Sequence, residues 1–275
     1  MTSILILHPG EMGSSLGACL RANQHHVGWV SRDRSDSTRV RAEADGFSEY
    51  ASLDLGLREV DVVVSICPPE YAEATAESVV ALNFEGIYVD ANATSPMTAA
   101  RIAAQVGANY VDGSVIGPPA RRANATRLYL SGEKAAFIKS LFVDTFAEPT
   151  DLGPATTAAS ALKMCYAAYT KGTSALLLNI RALAEANDIT DALLDEWSIS
   201  QSELKTRTEK IGPSVSRKAW RFAAEMREIA STFDANGLPC GFHQGAADVY
   251  ERLSEFKDQP PTPTTKLMAT LLGKS

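Results

Sequence analysis

The residues that could do chemistry begin at the N-terminus. An aliphatic run, Ser3-Ile4-Leu5-Ile6-Leu7, stops at His8-Pro9-Gly10-Glu11-Met12-Gly13. Its spacing follows the phosphate-binding turn G-x-G-x-x-G, except that His8 occupies the first glycine position. In that turn the first glycine permits a tight bend, the second lets a pyrophosphate approach the backbone, and the third packs helix on strand. Gly10 and Gly13 fit the second and third roles, and Gly17 and Ala18 keep the same helix face small. The helix N-terminus then offers N–H groups and a positive dipole end to a phosphate. His8, Pro9, Gly10, Glu11, Met12 and Gly13 are the candidate cofactor contacts, though an ordinary strand, turn and helix would use the same residues.

About twenty residues on, NAD-binding folds place an acid for the ribose 2′-hydroxyl. Here the segment reads Val30-Ser31-Arg32-Asp33-Arg34-Ser35. Ser31, Arg32 and Arg34 suit a 2′-phosphate, which a guanidinium grips in bidentate fashion, so NADP is favoured over NAD. Asp33 reaching a ribose, or a solvated basic loop, remains the other reading. Cys67 and Pro68, in Ser65-Ile66-Cys67-Pro68-Pro69-Glu70-Tyr71, form either a rigid ledge at the ligand-binding edge of a sheet or a proline-led helix start. Further on, Lys163 stands in an alanine-rich, mainly apolar helical stretch. A partly buried lysine loses charge stabilisation, which draws its pKa toward the range of a general acid or base. A surface lysine on a long helix is the alternative. Lys171, about two turns further along, is the natural control.

These residues need elements to hold them. From residue 1 to about 150, short β-branched runs alternate with helical segments, which predicts buried parallel strands in a Rossmann-like, doubly wound α/β sheet. The series of strands is expected to end with Asn109–Gly117. After Glu148-Pro149-Thr150 the pattern turns helical: one long helix over 155–187, then helices around 191–208, 213–236 and 240–257. The expected domains are 1–152, a nucleotide-binding domain, and 153–275, an all-helical substrate and dimerisation domain. The long helix is apolar on more than one face, which predicts a homodimer through the helical domain.

A net charge of −7, with no basic run, argues against a nucleic-acid partner. No apolar stretch reaches the ~18 to 20 residues of a membrane span, and no signal-peptide pattern opens the chain. The four cysteines are scattered, which suggests reduced thiols in a cytoplasm, most of them small buried hydrophobes. Cysteines and histidines lack ligand spacing, so no metal is expected.

In order, these motifs resemble the β-hydroxyacid dehydrogenase family, related to 6-phosphogluconate and 3-hydroxyisobutyrate dehydrogenases and to imine reductases. The resemblance spans nearly the whole length. It rests on the turn 10–17, the second strand end at 30–35, Ser65–Pro69, Val89–Pro96 with Asn92, Val111–Ala120, and Ala159–Gly172 with Lys163. The resemblance implies cofactor contacts at Cys67, Pro68 and Asn92, substrate contacts at Gly113, Ser114, Ile116 and Gly117, and catalysis by Lys163. The chain departs from the family pattern where Ile116 replaces a serine, Pro118 a glycine, Ala167 an asparagine and Ala224 a lysine. Tyr166 lies on the Lys163 face, and Arg221 and Glu225 share a face of a later helix; all three are further candidates for substrate contact, with core packing equally open for Tyr166. The resulting expectation is an NADP-dependent oxidoreductase moving hydride between nicotinamide and a small hydroxyacid or carbonyl substrate. An imine-reductase-like enzyme, or an NADPH-binding protein without turnover, are the alternatives.

Overall fold

A computed structural model describes residues 1–274. Two compact units divide the chain between Lys163 and Met164. The expected boundary at 152/153 lies just after the last strand, whereas the units divide inside a long helix.

The first unit is built on an eight-stranded sheet, mostly parallel: β1 (Ser3–Ile6), β2 (His26–Val30), β3 (Ser48–Tyr50), β4 (Val62–Ser65), β5 (Ile87–Asp90), β6 (Tyr110–Ile116), β7 (Thr126–Ser131) and β8 (Ala147–Asp151). Between them run α1 (Glu11–Ala22), α2 (Asp36–Ala44), α3 (Leu53–Leu57), α4 (Ala72–Val80), α5 (Pro96–Val106) and α6 (Ala135–Leu141). The strand order is β3-β2-β1-β4-β5-β6-β7-β8, so the winding direction reverses between β1 and β4. Side chains alternate between two buried layers. Ile4, Ile6, Val62 and Val64 pack with Leu16, Leu20 and Ile138, while Leu5, Leu7 and Val63 pack with Ala76, Val79 and Ile102. Burial on both faces is why these strands read as unbroken apolar runs.

The strand series does not end at β6. β7 returns antiparallel to it and β8 pairs parallel with β7. The segment Glu148-Pro149-Thr150 belongs to this edge strand, where a proline costs no ladder bond on the open side. β3 is three residues long and half exposed, too short to leave a periodic signal.

The second unit is all helical. It holds α7 (Ala158–Ala186) from Met164 onward, α8 (Thr190–Ser200), α9 (Leu204–Val215), α10 (Ala219–Ala235), α11 (Gly241–Arg252) and α12 (Thr264–Leu271). The expected helix over 191–208 is two helices, and Pro213 sits inside α9 rather than opening the next one. The reason is Thr264. Its hydroxyl accepts from the Gly212 N–H at 3.0 Å and lies 3.0 Å from the carbonyl oxygens of Thr208 and Glu209. It thus supplies the donor that proline removes from the ladder.

Candidate functional site

In an open α/β sheet, ligands bind beyond the carboxyl ends of the strands, where the winding reverses. Here that point lies between the ends of β1 and β4, and the turn 8–13 borders it. Gly10 caps α1 with no side-chain hydrogen bond, and a Cβ built on it would meet nothing within 4 Å. The open approach lies at Gly10. At Gly13 a Cβ would overlap the His8 carbonyl and lie 2.8 Å from Ile66 Cγ2, so this glycine seats α1 against both strand ends. At Gly17 a Cβ would run into the Phe47 ring. The turn is held from behind by Arg41 on α2, whose Nε donates to the Pro9 carbonyl at 3.3 Å. Pro9 is buried, Met12 half-buried and Glu11 exposed.

His8 fills the first glycine position without a left-handed backbone. Its Nδ1 is buried and unpartnered. Burial first, and the Arg34 charge second, lower its pKa to about 4, so the ring is neutral near pH 7. The two arginines after β2 differ. Arg32 extends into solvent, 3.8 Å from Asp33. Arg34 is the one whose charge bears on His8 and Cys67. Ser31 lies 3.4 Å from the Tyr50 carbonyl through its hydroxyl.

Beyond β4, burial pushes the Cys67 thiol up to about 11, so it is un-ionised near pH 7. Pro68 leads into a 3-10 turn, Pro69–Tyr71, as the proline-led helix start requires. Asn92 is 2% exposed and turned inward: its Oδ1 accepts the Cys67 N–H at 2.6 Å, and its Nδ2 donates to Ser65 Oγ at 3.1 Å and to Asp90 Oδ1 at 2.5 Å. It ties the ends of β4 and β5 rather than offering its amide outward. Thr94, two residues on, keeps a buried hydroxyl without a partner; sequence reasoning passed over it because a threonine before a helix carries no spacing signal.

Most of the substrate candidates lie within β6. Gly113, Ser114 and Ile116 are buried, and Gly113 to Ile116 pair with β7. Pairing with β5 stops at Asp112. Ser114 Oγ is buried and unpartnered. Gly117 has φ +124°, and a Cβ there would overlap the Ala125 carbonyl, so only glycine closes this loop. The loop is latched to α1: Ser15 Oγ accepts the Ala120 N–H at 2.9 Å, and Arg121 reaches Ser14 and Asp45 at 2.7 Å. Lys163 lies half-buried at the end of this unit, where its Nζ donates to the Val115 carbonyl at 2.6 Å. The first unit therefore places His8, Gly10, Cys67 and Asn92 beyond the ends of β1, β4 and β5 and sets Lys163 on the Val115 carbonyl of β6.

In the helical unit, Tyr166 is 45% exposed and Arg221 is exposed, with its guanidinium 5.7 Å from the Phe222 ring. Glu225 is buried and paired with Lys171, whose Nζ also lies 4.9 Å from the Phe222 ring. Lys171 is thus part of the helical core and no neutral control. Of the cysteines only Cys19 is fully buried, while Cys165 is exposed; all four are free thiols. His243 is buried between Phe233 and Phe242. No helix among the described residues is long and apolar enough to cross a membrane.

The architecture is that of 3-hydroxyisobutyrate dehydrogenases and imine reductases: a mostly parallel eight-stranded sheet with alternating helices, then an all-helical region. The chain superposes on the 3-hydroxyisobutyrate dehydrogenase of Mycobacterium tuberculosis, with L-serine, at a TM-score of 0.73, 18% identity, 98% of this chain and 99% of that one. An imine reductase of Bacillus cereus gives 0.58 and 17% over 100% of both chains. A reductive aminase of Aspergillus terreus, in complex with NADPH and ethyl levulinate, gives 0.58 and 14% over 98% and 99%. Residues 184–253 match a family described as a domain of unknown function, DUF1932. An uncharacterized 28.5 kDa protein of Methanothermus fervidus, from the 7S RNA 5′ region, is 29% identical over 188 residues, 68% of this chain and 72% of that protein.

Proposed function

We propose that this chain is an NADP-dependent oxidoreductase acting on a small hydroxyacid or carbonyl compound. The observation that carries the proposal is the β1/β4 reversal itself, where the backbone at Gly10 is open, the helix end has no side-chain cap and His8 Nδ1 is buried and unpartnered. The residues fit a dinucleotide. The α1 N-terminus would receive the pyrophosphate, Arg34 and Arg32 would take the 2′-phosphate, and Cys67 and Pro68 would offer an uncharged side. The cofactor, when bound, supplies or accepts the hydride. Lys163 holds the proton: its Nζ gives it to the substrate oxygen during reduction and receives it during oxidation, while the Val115 carbonyl orients the amine.

Imine chemistry is the second reading, favoured by Ile116 and Ala167, which are both buried and apolar. An activated iminium needs less acid catalysis, and a retained Lys163 weighs against it. Binding of NADPH without turnover is the third. A panel of carbonyls, hydroxyacids and imines, read as NADPH oxidation or NADP reduction, separates all three. No turnover together with no NADPH binding removes the proposal. The proposed partner is a second copy of the chain: Tyr169, Leu176 and Leu183 stand seven residues apart on α7, 67%, 42% and 65% exposed, as a helix seam requires.

A further inference from the structure

A lysine that moves a proton must be held where the proton is needed, and the first turn of α7 has an unusual anchor. A helix's first N–H groups have no partners within it. Here those of Ala159 and Ser160 go to neighbouring strands. Asp112 on β6 accepts the Ser160 N–H at 2.8 Å and the Ser160 hydroxyl at 2.6 Å. Ser131, opposite Asp112 on β7, donates to the same carboxylate at 3.3 Å and accepts the Ala159 N–H at 3.1 Å. Asp112, Ser131 and Ser160 are at most 1% exposed. Three residues further along both elements, Lys163 Nζ meets the Val115 carbonyl. Ser160 and Lys163 share a face of α7, so the helix is fastened to β6 at two points one turn apart.

We infer that Asp112 is a positioning residue for Lys163: through Ser160 and Ser131 it fixes the first turn of α7 on β6, and with it the place of the amine. The inference takes its meaning from the role proposed for Lys163, although the clasp itself does not depend on that role. The ionised carboxylate accepts from the Ser160 N–H and from both serine hydroxyls; once protonated it offers one acceptor fewer, and a serine hydroxyl must reverse to accept its O–H, which weakens the hold. The titratable groups around it are Asp90, opposite on β5, and Tyr110 on β6, whose hydroxyl lies 3.4 Å from Asp90. Burial raises both acids, Asp112 to about 6 and Asp90 to about 7, with the Asp112 charge adding to the rise at Asp90. The clasp therefore holds at neutral pH and slackens in mild acid.

The test is acylation of the full chain by acetic anhydride, with peptides quantified by mass spectrometry and Lys163 labelling taken relative to exposed Lys139 on α6. In wild type the ratio stays low at pH 8 and rises as the pH falls through the Asp112 titration. In Asp112→Asn it is raised about tenfold and no longer depends on pH. Ser160→Ala moves it in the same direction by less. A merely structural role would alter labelling of Lys134 and Lys139 together and leave no pH bend in the ratio. An unchanged ratio in Asp112→Asn, or a bend that persists there, overturns the inference. Should Asp112→Asn fail to fold, Ser131→Ala and the wild-type profile decide, a flat wild-type ratio being fatal. Full turnover in Lys163→Met would remove the proton role while leaving this labelling result untouched.

Discussion

The two units leave their buried polar groups in different states. In the helical unit the Lys171 amine meets the Glu225 carboxylate, and the Thr264 hydroxyl repairs the break that Pro213 makes in α9. In the first unit Trp29 Nε1, within β2, and Tyr88 OH, within β5, are buried without partners, and so are His8 Nδ1, Thr94 Oγ1 and Ser114 Oγ. The last three lie toward the carboxyl ends of strands, after β1, after β5 and within β6. An unpaired buried polar atom costs about 1 to 3 kcal/mol, and these three lie at the sheet edge where the proposed cofactor would sit. The helical unit has its own exceptions in Arg181 Nε and His243 Nδ1, but neither lies at a strand end.

Two lysines on α7 give the sharpest way to break this contrast. Lys163→Met should lower turnover by about 10²- to 10⁴-fold with NADPH affinity unchanged, and Lys163→Arg should restore little, because a guanidinium keeps its proton. Steady-state kinetics beside a fluorescence titration of NADPH check this, and equal rates would end the proton role. Lys171→Met should do the opposite. It strands a buried carboxylate, so the helical unit should lose about 3 kcal/mol or more, read by urea unfolding, and Glu225→Gln should do likewise. Pairing Lys171→Met with Glu225→Gln should recover part of the loss.

The arginines after β2 carry the next effect. Arg34→Ala should cut the preference for NADPH over NADH by about tenfold to a hundredfold, more than Arg32→Ala, because only Arg34 bears on the crevice groups. Isothermal titration with both cofactors decides it, and an equal loss in the two variants would remove the distinction. For the helical unit, Leu176→Glu with Leu183→Glu should weaken self-association by roughly a hundredfold. Light scattering that shows wild type already monomeric at micromolar concentration would dismiss the seam.

Much of the fold was legible because burial writes itself into the sequence. Strands covered on both faces are unbroken apolar runs, and β1, β4 and the long α7 could be read directly. β3, β7 and β8 were not: one is three residues long and half exposed, one alternates, and one is an edge strand with a proline. At the site, the glycine spacing announced the turn, and Gly10 and Gly13 occupy different physical roles there, as the spacing implied. What sequence could not show was direction. Asn92 faces inward, Glu225 is taken by Lys171, and it is the charge of Arg34 that bears on His8 and Cys67. Each outcome depends on a partner distant in sequence, and a linear pattern holds no record of that pairing.

The smallest effect concerns His8 and acid. Its folded pKa lies near 4, against 6.5 for a free histidine, chiefly through burial. A depressed histidine contributes stability above the unfolded value, and loses it as the pH falls from about 6.5 toward 4, because the unfolded chain takes up the proton first. Asp90 and Asp112 act in the other direction. Their raised pKa values mean that the folded unit binds protons before the unfolded chain does, so lowering the pH through 7 and 6 relieves a cost. A melting curve of wild type against pH therefore mixes opposing slopes. The difference between wild type and His8→Gln isolates the histidine, since glutamine keeps the polarity and does not titrate. That difference should be constant above pH 7 and shift against wild type by on the order of 1 to 2 kcal/mol between pH 6.5 and 4.5, less than the full pKa displacement because the ring is only partly buried. A difference that stays flat across this range would mean that His8 is hydrated in the folded protein, and the neutral, unpartnered ring would no longer mark the cofactor turn.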